Sequence, residues 1–428
     1  MNIKFLFIIF LFLLFPTLSF LNIGSFPLLR VDFVGQIILV LYMIYKVLTN
    51  KIIMKKKELL LFSLLIFIYS YSSLLNVFYF DSFNGFNFLK MFIQSSFIFL
   101  ICFLILNIDL KKFDLMKFYK YIFNLGFSVA IYSLYQTVSL NIVELPFDSI
   151  HFNNLKFSEY SVQASFAGYT RPTSIFMEPT HLAFFLQLII ILALFANKYK
   201  FKKVLGINSF KFSIIVVSFL STISLFNFIS LFIVILIYFK RMRIILLLSI
   251  PIIISALYFL DLLGPFVRIT NLLYVLFISG DLSIIDSSFM VRLGKIIVGL
   301  QVWLDHFWIG VGLNNIGNFS SNYSLGNWFR YDSDFVFTNV FYIQALAETG
   351  ILGAGILTLL FIYIFKQLNY KIIANMQVKF FAHLSFALMI AFLINQDFPF
   401  SSPYRLIYFI LIFLAINKIK DYQQRKVK

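Results

Sequence analysis

Long apolar runs alternate with short lysine-rich connections along the whole chain. The runs lie near 3–21, 31–48, 59–78, 91–108, 119–138, 174–196, 212–224, 227–239, 243–262, 351–366, 380–396 and 404–418. Crossing an apolar layer of about 30 Å takes roughly 20 helical residues, so this pattern predicts about twelve spanning helices. The seventh and eighth runs are short and nearly continuous. They predict either a tight hairpin or one broken span. Lys4 precedes a stretch that stays mostly apolar to Leu21, with no small-residue cleavage site after it. It reads as a retained first helix rather than a secretion signal. The expected fold class is all-α, a single polytopic membrane domain over residues 1–428.

The lysines predict sidedness, because cationic connections stay cytoplasmic. Lys55, Lys56 and Lys57 fill the second connection, and Lys111 and Lys112 the fourth. Lys200, Lys202 and Lys203 fill the sixth, Lys240 and Arg241 the eighth, and Lys366, Lys371 and Lys379 the tenth. The tail carries Lys418, Lys420 and Arg425. Both termini are therefore expected in the cytoplasm. Two outward connections are long, about 139–173 and about 263–350. The second holds most of the polar sequence outside the basic connections, as an extracytoplasmic active site would.

Composition narrows the classes. The 428 residues are 61% hydrophobic and 12% charged, with mean hydropathy +0.93, which no soluble globular domain matches. The net charge of +17 does not point to nucleic acid, because the cations sit in connections rather than on one basic face. The single cysteine, Cys102, lies in an apolar run and has no intrachain disulfide partner. His151, His181, His306 and His383 lack metal-ligand spacing, so neither a metal nor another cofactor is expected.

Three polar stretches carry candidate chemistry. The first is Thr170-Arg171-Pro172-Thr173-Ser174-Ile175-Phe176-Met177-Glu178-Pro179-Thr180-His181, at the outer mouth of the sixth span. An ionisable group in a span costs roughly 2.5–3.5 kcal/mol on insertion scales, which favours function over accident. Arg171, Glu178 and His181 stand at i, i+7 and i+10, one face of any helix that runs through them. The bland alternative is a snorkelling Arg171 with Glu178 and His181 stapling helices. Pro172 suits a first helical position, so a helix N-terminus beside Arg171 would favour an anion, with Thr170, Thr173 and Ser174 as donors. Pro179 would then kink the span. Glu178, two turns inside, would be a partly dehydrated carboxylate.

The second stretch begins with a helical stripe of Leu293, Ile296, Ile297, Leu300, Trp303, Leu304 and Phe307, flanked by Arg292 and Lys295. It reads as an amphipathic helix on the outer leaflet, or as one that also holds Arg292 over lipid phosphates. Asp305 to Asn315 follows, where Gly310 and Gly312 permit a tight turn. The third stretch, Phe337 to Gly353, reads as a helix closed by Gly350 and then a span. Asn339 and Glu348 there are either catalytic or pins between helices.

Together the three stretches, over roughly 165–355, resemble the O-antigen and capsule repeat-unit polymerases and the related O-antigen ligases. The polymerases carry a segment like Arg171 to His181. Both families share patterns like Trp303 to Asn314 and Asn339 to Gly353, in this order and sidedness. Ligases usually place a histidine directly before the Asn-containing helix. Thr338 stands there in this chain, which favours a polymerase and leaves the general base open.

The resemblance implies a fold similar to the C-type glycosyltransferases. It implies transfer of a growing glycan from undecaprenyl diphosphate to the next lipid-linked repeat unit, at the outer face of a bacterial cytoplasmic membrane. Arg171, Arg292 and Lys295 would hold the diphosphate, and Thr170, Asn314 and Asn339 would contact substrate. Glu178, His181 or Glu348 would act as base. Membrane lipids, a flippase and a chain-length regulator are the partners it implies, without cofactor or metal. A ligase is the runner-up. A transporter is the alternative of another class, but no two similar halves are visible.

Reporter fusions test the sidedness. Fusions at Lys57 and Lys203 should behave as cytoplasmic, and one near Ser320 as external. A cytoplasmic signal near Ser320 would put any lipid-linked substrate on the wrong side.

Overall fold

Backbone groups in so apolar a chain need internal partners, and helices supply them. The computed structural model describes residues 3–14, 19–23, 26–50, 56–79, 85–110, 113–146, 165–166, 169–176, 178–240, 287–313, 315–320, 340–368, 375–394 and 403–427. These are mostly helical: α1 Ile3–Leu14, α2 Val31–Asn50, α3 Lys56–Tyr79, α4 Gly85–Asn107, α5 Leu115–Asn141, α6 Pro179–Lys198, α7 Lys202–Leu205, α8 Ser209–Ser221 and α9 Leu225–Tyr238. Then come α10 Ser287–Asp305, α11 Ile316–Ser320, α12 Phe341–Leu368, α13 Met376–Ile394 and α14 Pro403–Val427. Helices α6, α12 and α13 are long and apolar enough to cross a membrane, with shorter apolar helices beside them. The architecture fits an all-α membrane protein. The run at 243–262 lies outside the described residues.

Two small hairpins depart from the helical expectation. The first pairs β1 Ser19–Ile23 with β2 Phe26–Arg30, antiparallel, and the second pairs β3 Ser165–Phe166 with β4 Tyr169–Thr170. The predicted first span over 3–21 is therefore corrected. Helix α1 ends at Leu14, and its 12 residues are too few for a full crossing. Pro27 has no N–H to donate, which suits a two-stranded hairpin, where each strand is an edge.

The described helix ends that flank the basic connections gather at one end of the bundle. Lys420 Nζ meets Glu58 Oε1 at 2.5 Å, and the Tyr363 hydroxyl donates to the same oxygen at 2.8 Å. This ion pair is only 11% and 4% exposed, so it joins α3, α12 and α14 at a buried point. Asn417 Nδ2 donates to Ile105 O at 2.6 Å and to Ile108 O at 2.9 Å, and Lys418 Nζ donates to Leu110 O. Gly206 lies beside the Lys120 side chain. Lys198 Nζ donates to Tyr238 O at 3.0 Å and stands over the rings of Phe195, Tyr199, Tyr238 and Phe239.

The short pair α8 and α9 resolves into two antiparallel helices. Asn227 Nδ2 donates to Thr180 O at 3.3 Å, and Gln187 Nε2 to Ser230 Oγ at 2.5 Å. With Lys198 on Tyr238, these contacts make α9 run alongside α6 in the same direction. Helix α8 instead climbs from the basic end to Ser221, whose carbonyl accepts from the Tyr169 hydroxyl at 3.0 Å. The reversal falls at Thr222–Ser224, where Ile223 has φ +46°, an unfavourable conformation for a β-branched residue.

Candidate functional site

The segment Tyr169–Phe176 is a strap of irregular backbone at the end of the bundle away from the basic connections. Two carboxamides of α5 hold it. Asn141 Nδ2 donates to Thr170 O at 2.9 Å, and Asn141 Oδ1 accepts from Thr170 N at 2.7 Å. The side chain thus imitates a strand neighbour. Gln136, buried, accepts from Thr173 N at 3.1 Å and from Ser174 N at 2.5 Å. Ser174 Oγ donates to Val129 O at 3.1 Å, and Ser174 itself stands at φ +53°. That left-handed residue stops a helix from forming through the strap.

Helix α6 therefore starts at Pro179, with extended Glu178 as its N-cap. Proline at the first helical position gives up no hydrogen bond there. This corrects four expectations. Arg171, Glu178 and His181 do not share a helical face, because Arg171 precedes the helix. Pro179 opens the helix instead of kinking it. The amides of Thr170, Thr173 and Ser174 are engaged by Asn141 and Gln136, so they form no helix-end anion cradle at Arg171. Glu178 is exposed rather than dehydrated, and its carbonyl accepts from His181 N at 3.1 Å and Leu182 N at 3.2 Å. His181 is buried one residue row below, and Arg171 is half-buried. Tyr169, beside Arg171, has its hydroxyl pKa raised by burial, with the Arg171 charge acting against that shift.

The other two stretches meet at a helix break. A straight helix would separate Phe341 from Phe361 by about 30 Å at 1.5 Å per residue. Their ring centroids are 6.0 Å apart, and Tyr342 is 6.1 Å from the same ring. So α12 folds back on itself at Gly350, whose φ is +62° and ψ is −169°. The predicted helix closed by Gly350, followed by a span, is what forms. Tyr363 is at the basic end, so the limb 351–368 runs from there back to a break on the far side.

Such a break leaves carbonyls at the end of one limb and amides at the start of the next without helical partners. The segment after α10 supplies both. Val311 N donates to Ala347 O and Gly312 N to Glu348 O, each at 2.9 Å. Phe307 O accepts from Ile351 N at 2.9 Å, and Trp308 O from Leu352 N at 3.3 Å. The backbones cross so closely that only glycine fits. A Cβ on Gly310 (φ +66°) would strike the Ala347–Thr349 backbone, and one on Gly350 would strike Trp308.

Glu348 is buried at this crossing, and its Oε1 accepts from Gln344 Nε2 one turn earlier. A carboxylate near a helix C-terminus is electrostatically unfavourable, which sets Glu348 apart from ordinary packing. His306 is half-buried against Phe319, ring centroids 5.3 Å apart, and burial lowers its pKa while Asp305 opposes this. Helix α10 packs its small face, Gly294, Val298 and Val302, inward. Leu304, Phe307 and Trp308 are exposed. The stripe thus opens outward only at its C-terminal end, while Ile296, Ile297, Leu300 and Trp303 are half-buried.

Lys295 is half-buried on α10, and Arg292 lies on the same helix with its side chain outside the described residues. Asn314 and Asn339 also lie outside them. Neighbouring Asn315 is fully buried and donates from Nδ2 to Leu313 O at 3.0 Å. An aromatic chain links the crossing to the strap helix. Phe341 packs on Phe392 at 5.3 Å, and Phe392 on Phe409 at 4.8 Å. Tyr408 stacks on Phe184 of α6 at 4.2 Å and donates to its carbonyl at 2.8 Å. Gln136 and Asn141 were missed from sequence. Their signal is two amides, five residues apart, at the outer end of an otherwise apolar run.

The fold and site define an all-α membrane-type protein with an irregular strap and a capped helix break at the end away from its basic connections. Compared with known proteins, the chain matches no family model and no curated protein.

Gly310→Ala and Gly350→Ala should each destabilise the protein well beyond the roughly 0.5–3 kcal/mol of ordinary substitutions. Gly355, which has open space, provides the control. Thermal unfolding in detergent should show Gly355→Ala near wild type and both crossing variants depressed. Equal melting temperatures for all three would refute the close approach.

Proposed function

We propose that the chain polymerises lipid-linked oligosaccharide repeat units. It transfers the growing glycan from undecaprenyl diphosphate to the next lipid-linked unit at the outer face of a bacterial cytoplasmic membrane. It crosses that membrane several times, with its basic connections inside. The observation that carries this reading is the joining of two sequence-distant motif stretches, 305–315 and 341–353, by exchanged backbone caps. It is supported by the strap 169–176, which bears Arg171 at the same end, opposite the basic connections.

The chemistry has two needs. Negative charge building on the departing diphosphate needs cations. Arg171 and Arg292 supply them, helped by Lys295. The acceptor hydroxyl needs a base or a sufficiently good leaving group. Glu178 suits that role because it is exposed at the mouth of α6 and makes no side-chain cap bond. Glu348 is held by Gln344, and His181 is buried, so each suits a positioning role better. Thr170, Asn314 and Asn339 contact substrate.

Deletion of the gene separates the readings by the cell's surface glycan on a gel. A polymerase loss leaves single repeat units on the acceptor, a ligase loss leaves none there, and a flippase loss stops export. At residue level, Arg171→Ala and Arg292→Ala should abolish chain growth at normal protein levels. Lysine should rescue poorly, because it cannot make the forked contact. Glu178→Gln should lose nearly all turnover of purified lipid-linked unit while binding survives. Full activity in Glu178→Gln with loss in His181→Ala would move the base to His181.

A further inference from the structure

Arg171 stands in a strap that is pinned on both sides of it. Before it, the Asn141 carboxamide accepts from Thr170 N at 2.7 Å and donates to Thr170 O at 2.9 Å. After it, Gln136 Oε1 accepts from Thr173 N at 3.1 Å and from Ser174 N at 2.5 Å. Both carboxamides belong to α5. We propose that Asn141 and Gln136 are positioning residues that set Arg171 in place for a diphosphate before the diphosphate arrives. The proposal rests on the glycan-transfer reading and names the residues that fix the geometry of its anion site.

Backbone restriction is the first argument. Arg171 precedes Pro172, and a residue before proline is biased to extended backbone. Pro172 is itself fixed in φ. Two stiff residues therefore lie between the two clamps. Tyr169 adds a tie on one side, its hydroxyl donating to Ser221 O at 3.0 Å. Ser174 adds one on the other, where its Oγ donates to Val129 O at 3.1 Å. A segment held in this way has little backbone freedom left to lose when an anion binds.

Register is the second argument. Apolar side chains on α5 would be enough to pack a strap against it. A buried carboxamide costs more than they do unless its groups are met. Gln136 is 2% exposed, and its oxygen serves two strap amides at once. A one-residue slip of the strap would leave such buried groups unpaired. Pro172 blocks the slip in one direction, because beneath Gln136 it would offer no N–H. A slip would carry Arg171 about 3.3 Å along the strap, against the roughly 0.5 Å within which a binding group must be held. The carboxamides thus choose where the guanidinium stands.

The test uses the full chain in neutral detergent, with undecaprenyl diphosphate as the probe. Its affinity and the melting temperature are the readouts. Gln136→Leu and Asn141→Ala should each weaken the probe about tenfold, within the roughly 100-fold that a displacement of about 1 Å can cost. In an Arg171→Ala background neither should weaken it further, because the carboxamides act through Arg171. Arg292 and Lys295 keep that second comparison measurable. Asn417→Leu removes a carboxamide that holds Ile105 O and Ile108 O at the opposite end. It should lower the melting temperature and leave the affinity unchanged, which separates positioning from general loss of stability. Should Gln136→Leu fail to fold, Asn141→Ala carries the comparison, since Asn141 is only half-buried. The positioning role falls if Arg171→Ala weakens the probe while both carboxamide variants keep wild-type affinity. It falls equally if their losses multiply with that of Arg171→Ala, or if Asn417→Leu weakens the probe as much. A wild-type chain that does not bind the probe, or an Arg171→Ala chain that binds it as tightly, would instead overturn the diphosphate site of the glycan-transfer reading and this role with it.

Discussion

A helix that turns back on itself inside an apolar protein must find partners for the backbone groups it releases. Gly350 makes that turn, and Phe307–Gly312 provides the partners. Each orphaned group would cost about 1–3 kcal/mol if left buried and unpaired. Most of the far side of the bundle follows from this exchange. It ties α10 to α12 although the two helices are 35 residues apart in the chain. It requires glycine at 310 and 350, and it fixes Glu348 at the crossing. Because its first turn is capped from outside, the limb 351–368 can start abruptly and still run straight to the buried Glu58–Tyr363–Lys420 cluster.

The strap solves the same problem by a different route. Its backbone is irregular, so side chains replace the missing ladder. Asn141 copies a strand partner for Thr170, and Gln136 gathers the amides of Thr173 and Ser174. One consequence is chemical. With those amides engaged, Arg171 is the feature of the strap that attracts an anion, and no helix dipole reinforces it. The acid at Glu178 meets the positive end of α6 instead.

Features written into local sequence were legible. Apolar length announces α6, the long limb of α12 and α13, and Gly350 announces the break. Lysine spacing anticipates which helix ends carry cations, as at Lys198, Lys418 and Lys420. Features decided by distant contacts were not legible. Pro172 and Pro179 both suit a helix start, and the choice between them rests on Gln136, 37 residues away from Thr173. The end of α1 at Leu14 is written in the sequence as Pro16 two residues on, a stop signal that the span read over 3–21 passes through. The reversal at Ile223 is silent, because a strained β-branched residue is tolerated only where packing demands it.

The two ends of the bundle differ in kind, and that difference constrains how the molecule can work. At the basic end, side chains tie one regular helix to another, through side chains as in Glu58 with Lys420 and Tyr422 with Gln377, and through carbonyls as in Asn417 with Ile105 and Ile108. Such contacts hold helices at fixed heights. At the far end, contacts run to backbone, as in the strap and the glycine crossing. Those contacts hold irregular segments in shape while leaving charged side chains such as Glu178 exposed. A site that must grip a large, variable ligand gains from this division. The backbone is fixed from behind, so the side chains in front keep their freedom to meet the ligand. The aromatic chain from Phe341 through Phe392 and Phe409, with Tyr408 on Phe184, joins the two irregular segments through packed rings. A shift of the α12 limb would therefore reach α6 through close-packed side chains, which transmit displacement because they have little room to absorb it.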